Sequence, residues 1–176
     1  MNAPTDTGGT AWRRPDDSAP HPRRAARLAA VQALYQMELA GGAAEAVIGE
    51  FARHGLARTA EGEPYGPPDI ALFSELVRGV TAHRGEIDNL IAAVLSEEWS
   101  VERLETVLRA ILRAGAFELS DRPDVPPRVV ISEYVKVADA FFAGKEPALV
   151  NGVLDRLAHA LRPDELGSTP RAAPAE

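Results

Sequence analysis

Residues 112–142, LRAGAFELSDRPDVPPRVVISEYVKVADAFF, decide the fold class of this chain. On both sides of the proline-rich stretch at 122–127, apolar residues recur at three- and four-residue spacing, which is the period of an amphipathic α-helix. Arg122-Pro123 ends the first pattern and Pro126-Pro127 begins the second, because proline suits the first turn of a helix and not its interior. The stretch therefore predicts two helices joined by a tight turn. Gly115, inside the first helix, predicts the close approach of another helix.

Helical patterns of the same kind continue outward from this stretch. They begin or end at Pro22, Gly41-Gly42, Gly55, Pro67-Pro68, Gly85, Ser100 as the N-cap of the longest helix, Gly144, Pro147 and Pro163. Since the sequence shows no convincing strand and no internal repeat, it predicts an all-α fold of about seven helices.

The two ends of the chain have a different composition. Residues 1–21 are rich in Pro, Gly, Asp and Thr, and residues 164–176 are similarly poor in large apolar side chains. Such segments cannot offset their ordering entropy by burial. We therefore predict a disordered arm at 1–21, a folded domain at 22–163 and a disordered tail at 164–176.

Composition excludes several classes of protein. The 176 residues include no cysteine and only four scattered histidines, which argues against metal sites, thiol catalysis and disulfide scaffolds. No glycine-rich phosphate loop and no catalytic motif is present, so we predict no cofactor and no enzymatic activity. No apolar run is long enough for a membrane span or a signal peptide, which favours a cytoplasmic protein.

Charge is distributed unevenly along the chain. The net charge is −7, but residues 1–30 hold five arginines and three aspartates and thus carry +2, which leaves −9 on the remaining 146 residues. A basic end on an acidic body is typical of proteins that bind a polyanion at that end.

Arg23, Arg24 and Arg27 stand at the start of the first predicted helix. Helical geometry brings them into a narrow sector beside the apolar stripe of that helix. Cations at a helix N-terminus oppose the helix dipole by roughly 0.3–1 kcal/mol each, so a binding role explains them better than helix stability does.

The arm adds Arg13 and Arg14 next to Trp12. Because arginine and aromatic planes stack on unpaired bases, single-stranded RNA is the predicted ligand. The residues alone leave one alternative open, a helical protein-interaction module without a role in RNA binding.

Four segments in order resemble the NusB family of bacterial transcription antitermination factors over residues 22–163. They are RRAARLAAVQALYQMEL, LVRGVTAHRGEIDNLIAAVL, the stretch at 112–142 and ALVNGVLDRL. The resemblance implies two small helical bundles. It also implies binding of boxA RNA in ribosomal RNA leader transcripts together with ribosomal protein NusE, as part of the RNA polymerase antitermination complex.

The resemblance also assigns candidate RNA-binding residues. The arginine-rich start falls on Arg23, Arg24 and Arg27, the ALY motif includes Tyr35, and the loop and motif around VNGVLD contribute Lys145 and Asn151. Since Ala25 and Ala26 interrupt the arginine cluster, Arg13 and Arg14 are expected to compensate. Three residues also have structural explanations: Tyr35 as a core side chain, Gly152 as a close-packing site and Asn151 as a backbone cap.

Two further alternatives accompany this hypothesis. The first is the RNA-binding portion of a ribosomal RNA cytosine methyltransferase. A catalytic domain, however, would require more than about a hundred further residues. The second is a homodimer that buries the arginine-bearing helix.

Overall fold

The computed structural model describes residues 21–54 and 69–167, and over these ranges the chain is helical without a β-strand. The helices are α1 (Pro22–Ala40), α2 (Ala44–His54), α3 (Ile70–Ala82), α4 (Arg84–Val94), α5 (Thr106–Asp121), α6 (Pro127–Phe141), α7 (Glu146–Leu161) and the short α8 (Pro163–Leu166). The predicted all-α class is confirmed, with one short helix more than the seven expected.

Prolines, glycines and one aspartate set the helix boundaries. Pro22 and Pro127 lie in the first turns of α1 and α6, where the missing N–H costs no hydrogen bond. Asp69 caps α3, since its carboxylate accepts a hydrogen bond from the N–H of Leu72 at 3.0 Å. Gly41 ends α1 with a φ of 76°, in the left-handed region that glycine adopts without strain.

The helices pack as two bundles. One contains α1, α2 and α3, the other contains α4, α5, α6 and α7, and both α1 and α3 pack against α5. A single core runs through both bundles. Its largest fully buried side chains include Tyr134, Phe73, Leu76, Ile111 and Leu154. Because α5 contributes to both bundles, it fixes the position of α1 relative to α6.

Two glycines allow helices to approach α5 closely. A Cβ atom on Gly115 would lie 2.8 Å from a methyl carbon of Leu154 on α7, so the predicted close approach at this glycine is confirmed. Gly79 of α3 also allows a close approach to α5, because a Cβ atom there would overlap the ring of Phe117 on α5.

The start of α5 differs from the prediction. Ser100 makes no side-chain cap, and it precedes a 3-10 turn at Val101–Arg103, with α5 beginning only at Thr106. Arg109 stabilises this turn by donating hydrogen bonds to the carbonyls of Val101 at 3.3 Å and Leu104 at 3.0 Å. Ser100 resembles a cap in sequence because the apolar period continues through the turn.

The ordered chain continues past the predicted end of the seventh helix. α8 begins at Pro163 and continues into the segment assigned to the tail from residue 164, and its Leu166 is buried. Arg162 attaches this end to the α5–α6 turn by donating hydrogen bonds to the carbonyls of Arg122 at 3.4 Å and Pro123 at 3.2 Å. Buried Arg162 and Leu166 thus attach α8 to the core, although the composition of this segment is polar.

Gly79→Ala is expected to destabilise the fold by about 1–3 kcal/mol, because the new methyl group must displace the buried Phe117 ring. Gly49→Ala in α2 is the matched control, since nothing lies within 4 Å of its added Cβ. That control should gain up to about 1 kcal/mol from helix propensity. Urea unfolding followed by circular dichroism measures both, and equal effects would contradict the close packing at Gly79.

Candidate nucleic-acid interface

Arg23 is exposed in the first turn of α1 and lies near the α5–α6 turn. The pKa of Asp124 in that turn is lowered, mainly by the hydrogen bonds that Arg122 donates to it, with a further contribution from the charge of Arg23. The start of α3 adjoins the same point, because the N–H of Asp69 donates to the carbonyl of Pro22 at 3.0 Å. Arg23 thus presents its charge where several helix ends meet.

Arg24 is held against α6 by Glu133. Its Nε and Nη2 atoms donate hydrogen bonds to the two carboxylate oxygens of Glu133, at 3.1 and 3.2 Å. Both side chains are only partly exposed, at 19% and 16%. This is the two-point geometry in which guanidinium and carboxylate interact most strongly.

Arg27 points into the protein core. Its Nε and Nη2 atoms each lie 2.8 Å from an oxygen of Glu118 on α5, and the hydroxyl of Tyr134 donates to the same carboxylate at 2.5 Å. Arg27 is 2% exposed, and Glu118 and Tyr134 are fully buried. Nη1 of Arg27 lies 4.0 Å from Glu133, so the buried group connects to the Arg24 ion pair at the surface.

The groups of this network shift one another's pKa values, and burial shifts them further. Burial would lower the pKa of Arg27, but the hydrogen bonds to Glu118 and the charge of that carboxylate outweigh it and raise the pKa. Burial is the main cause that raises the pKa of Tyr134 well above its usual range, with Glu118 adding to it. Burial also opposes ionisation of Glu133, yet the hydrogen bonds from Arg24 lower its pKa. At neutral pH Arg27 is therefore a cation, Tyr134 a neutral donor and Glu133 an anion.

The sequence predicts a binding role for all three arginines, but Arg24 and Arg27 have structural roles. Their partners Glu133 and Glu118 follow 109 and 91 residues later, so no local pattern reveals the pairing. The intervening Ala25 and Ala26 interrupt no surface cluster, since both are buried at helix contacts. The three guanidinium groups do not share one exposed sector.

Tyr35 lies apart from these arginines. It is 37% exposed, and Leu39, one turn further along α1, is also exposed, so the expectation of a core tyrosine does not hold. With about 1.5 Å per helical residue, Tyr35 is about 18 Å along α1 from Arg23. The structure does not bring it together with the first-turn arginines.

Lys145 and Asn151 are both exposed on the second bundle. Lys145 stands immediately before α7, and Asn151 lies one turn into that helix. Asn151 lines a groove of about 520 Å³ between α6 and α7. The predicted packing role of Gly152 is wrong, because nothing lies within 4 Å of a Cβ atom added there.

Sequence reasoning missed two basic residues in the same groove, Arg128 and Lys136 of α6. Ser132 stands between them at four-residue spacing, so the three form one stripe on a helix face. That spacing could have identified them once α6 was placed. Asp139 and Asp155 also line the groove, which makes its charge mixed.

Arg13 and Arg14 of the predicted arm lie outside the described residues. Within 21–54 and 69–167, no three His, Asp or Glu side chains come together as a metal site would require. Over the same ranges, no helix has the length and apolar character needed to cross a membrane.

Glu118→Gln should lower the free energy of unfolding by about 3–5 kcal/mol, because it leaves the buried Arg27 cation without its carboxylate. Tyr134→Phe removes one hydrogen bond and should cost about 1 kcal/mol. Glu45→Gln, in the exposed Glu45–Arg78 pair, is the control and should leave stability nearly unchanged. Urea unfolding distinguishes these cases, and a Glu118 effect no larger than that of the control would contradict a structural role for the buried pair.

Comparison with known proteins agrees with this architecture. The NusB family model matches residues 24–159. The chain is 47% identical over 154 residues to the transcription antitermination protein NusB of Bradyrhizobium sp., covering 88% of this chain and 91% of that protein. It is 50% identical over 141 residues to the NusB of Caulobacter vibrioides, covering 80% and 95%.

Solved structures have the same fold. T. maritima NusB superimposes with a TM-score of 0.68 at 29% identity, covering 83% of this chain and 97% of that one. A complex of antitermination factors NusB and NusE with double-stranded RNA gives a TM-score of 0.61 at 27% identity, covering 78% and 96%. The matched profile spans both bundles and the buried Arg27–Glu118 pair that joins them, and the chain belongs to the NusB family.

Proposed function

We propose that this chain is a transcription antitermination factor for ribosomal RNA operons, which binds single-stranded boxA-type leader RNA together with ribosomal protein NusE in the RNA polymerase antitermination complex. The observation that carries the proposal is the exposure of Arg23 at the start of α1 and of Arg128 and Lys136 on α6, in a member of the NusB family. The proposal assigns the chain no catalytic step and places it in the cytoplasm.

The RNA-binding surface consists of exposed basic groups and one amide: Arg23, Arg128, Lys136, Lys145 and Asn151. Arg128 and Lys136 line the groove between α6 and α7 together with Asn151. The charge of Lys136 also acts on Glu133, the partner of Arg24, which relates the groove to the start of α1. Arg24 lies between α1 and α6 and adds a partly exposed guanidinium to this surface, and Glu133 binds that guanidinium. Arg27 acts indirectly, because its buried pair with Glu118 holds the first turns of α1 in place.

The protein partner fits a different part of the molecule. Exposed Tyr35 and Leu39 offer apolar contact area on α1, about 18 Å from Arg23, and the acidic body favours a cationic partner. Separate surfaces for RNA and protein allow both to bind at once. NusB, NusE and double-stranded RNA are present together in one solved complex.

A protein-interaction module without RNA binding is the second candidate, and exposed Tyr35 and Leu39 favour it. RNA binding by the purified chain at two salt concentrations separates the two functions. A duplex of the same sequence, tested beside the single strand, decides which form of RNA the surface prefers.

Arg23→Ala and Lys136→Ala are each expected to weaken RNA binding without changing the melting temperature, because both side chains are exposed. The log-log dependence of affinity on salt should become shallower by about 0.7 for each single-strand phosphate that the variant no longer neutralises. Arg53→Ala on α2 removes one exposed charge elsewhere and is the control. If all three variants bind RNA like the wild type, the surface is not an RNA interface.

NusE and RNA are expected to bind this chain cooperatively, because a cationic partner reduces the repulsion between the acidic body and RNA. Linkage requires each ligand to tighten the other by the same factor, typically about 5- to 150-fold. Calorimetric titrations in both orders measure this factor. Independent affinities, or competition between the two ligands, would refute the ternary complex.

A further inference from the structure

We propose that Glu133 restrains RNA binding, because its carboxylate competes with RNA phosphate for the guanidinium of Arg24. The inference rests on the proposed RNA-binding function and concerns the regulation of that same surface. It makes the RNA affinity of the free chain lower than its arginine content suggests.

The Arg24–Glu133 pair lies at the edge between core and solvent. Two hydrogen bonds of 3.1 and 3.2 Å join the groups, and each side chain is less than one fifth exposed to solvent. Because the pair is partly removed from water, its charges interact more strongly than those of a fully exposed pair. A phosphate that approaches Arg24 therefore meets an anion already in place.

Glu133 has little freedom to move away. It lies on α6 immediately before the fully buried Tyr134, and its carboxylate is 4.0 Å from Nη1 of Arg27. The charge of Lys136 on the same helix also acts on it, and its lowered pKa keeps it ionised at neutral pH. These contacts keep the carboxylate in place when RNA approaches.

The charges of the four groups joined by these two ion pairs cancel. Arg24 and Arg27 contribute two cations, and Glu118 and Glu133 contribute two anions. Of the three arginines at the start of α1, only Arg23 lies outside this network, and Asp124 is near it. The first turns of α1 thus present much less positive potential to a polyanion than three arginines would without acidic partners.

Glu133 has a second conceivable role, in which it orders Arg24 for contact with RNA. Arg24 belongs to the first turn of a well-packed helix, where the buried Ala25 and Ala26 already fix the backbone. Replacing Glu133 by glutamine keeps this backbone and leaves an amide oxygen that can still accept a hydrogen bond from Arg24, whereas the charge that repels phosphate is removed. The balance favours restraint.

The test is the affinity of the full chain for a single-stranded RNA oligonucleotide, measured for the wild type and for Glu133→Gln. The variant should bind about fivefold more tightly at low salt, which corresponds to about 1 kcal/mol. The gain should shrink as salt rises, because exposed charges are screened. Glu45→Gln removes the same charge from the Arg78 pair between α2 and α3 and should change the affinity less than twofold.

A double-mutant cycle shows whether the effect acts through Arg24. In an Arg24→Ala background, the gain from Glu133→Gln should disappear, because the contested guanidinium is absent. A gain that persists would indicate a general charge effect and overturn the proposal. Melting temperatures of all variants confirm that folded proteins are compared.

The remaining outcomes separate this inference from the proposed function. If the wild type binds RNA and Glu133→Gln binds it equally or more weakly, the restraint is overturned and the proposed RNA-binding function stands. Failure of every variant, including the wild type, to bind RNA in the absence and presence of NusE overturns the proposed function and the restraint with it.

Discussion

The ion pair between Arg27 and Glu118 is the interaction on which the arrangement of the two bundles depends. It joins α1 to α5 in the interior, and the hydroxyl of Tyr134 connects the same carboxylate to α6. A buried pair of this kind adds little net stability over an apolar replacement, but breaking it is costly because an unpaired charge remains. Its effect is therefore geometric, since the three helices fit together only where all of these groups are satisfied.

A second ionic cluster joins the same two helices further along. Glu38 of α1 contacts Arg109 and Arg113 of α5, and Arg113 also binds Asp88 of α4 through hydrogen bonds of 2.7 and 2.9 Å. α1 is thus attached to α5 at both ends. Arg23, which we assign to RNA, and Tyr35, which we assign to the protein partner, therefore lie on a helix that is attached near both of its ends.

The sequence predicted the helices well and their electrostatic partners poorly. Pro22, Pro127 and Gly41 define helix ends by local backbone chemistry, and Gly115 indicated a close contact because a glycine inside a helix needs compensation. Whether Arg27 is buried depends on Glu118, which lies 91 residues away and follows no local pattern. Family resemblance placed the candidate surface near the start of α1, whereas the contribution of α6 became visible only once the helices were packed.

The distance along the chain between Arg27 and Glu118 has a consequence for synthesis on the ribosome. At about 5–20 residues per second, roughly 5–20 seconds separate the translation of the two residues. During that interval the nascent first helix carries a cation on the face destined for the interior, which disfavours early collapse of the N-terminal half. We therefore expect α1 to reach its final position only after Glu118 of α5 has been translated.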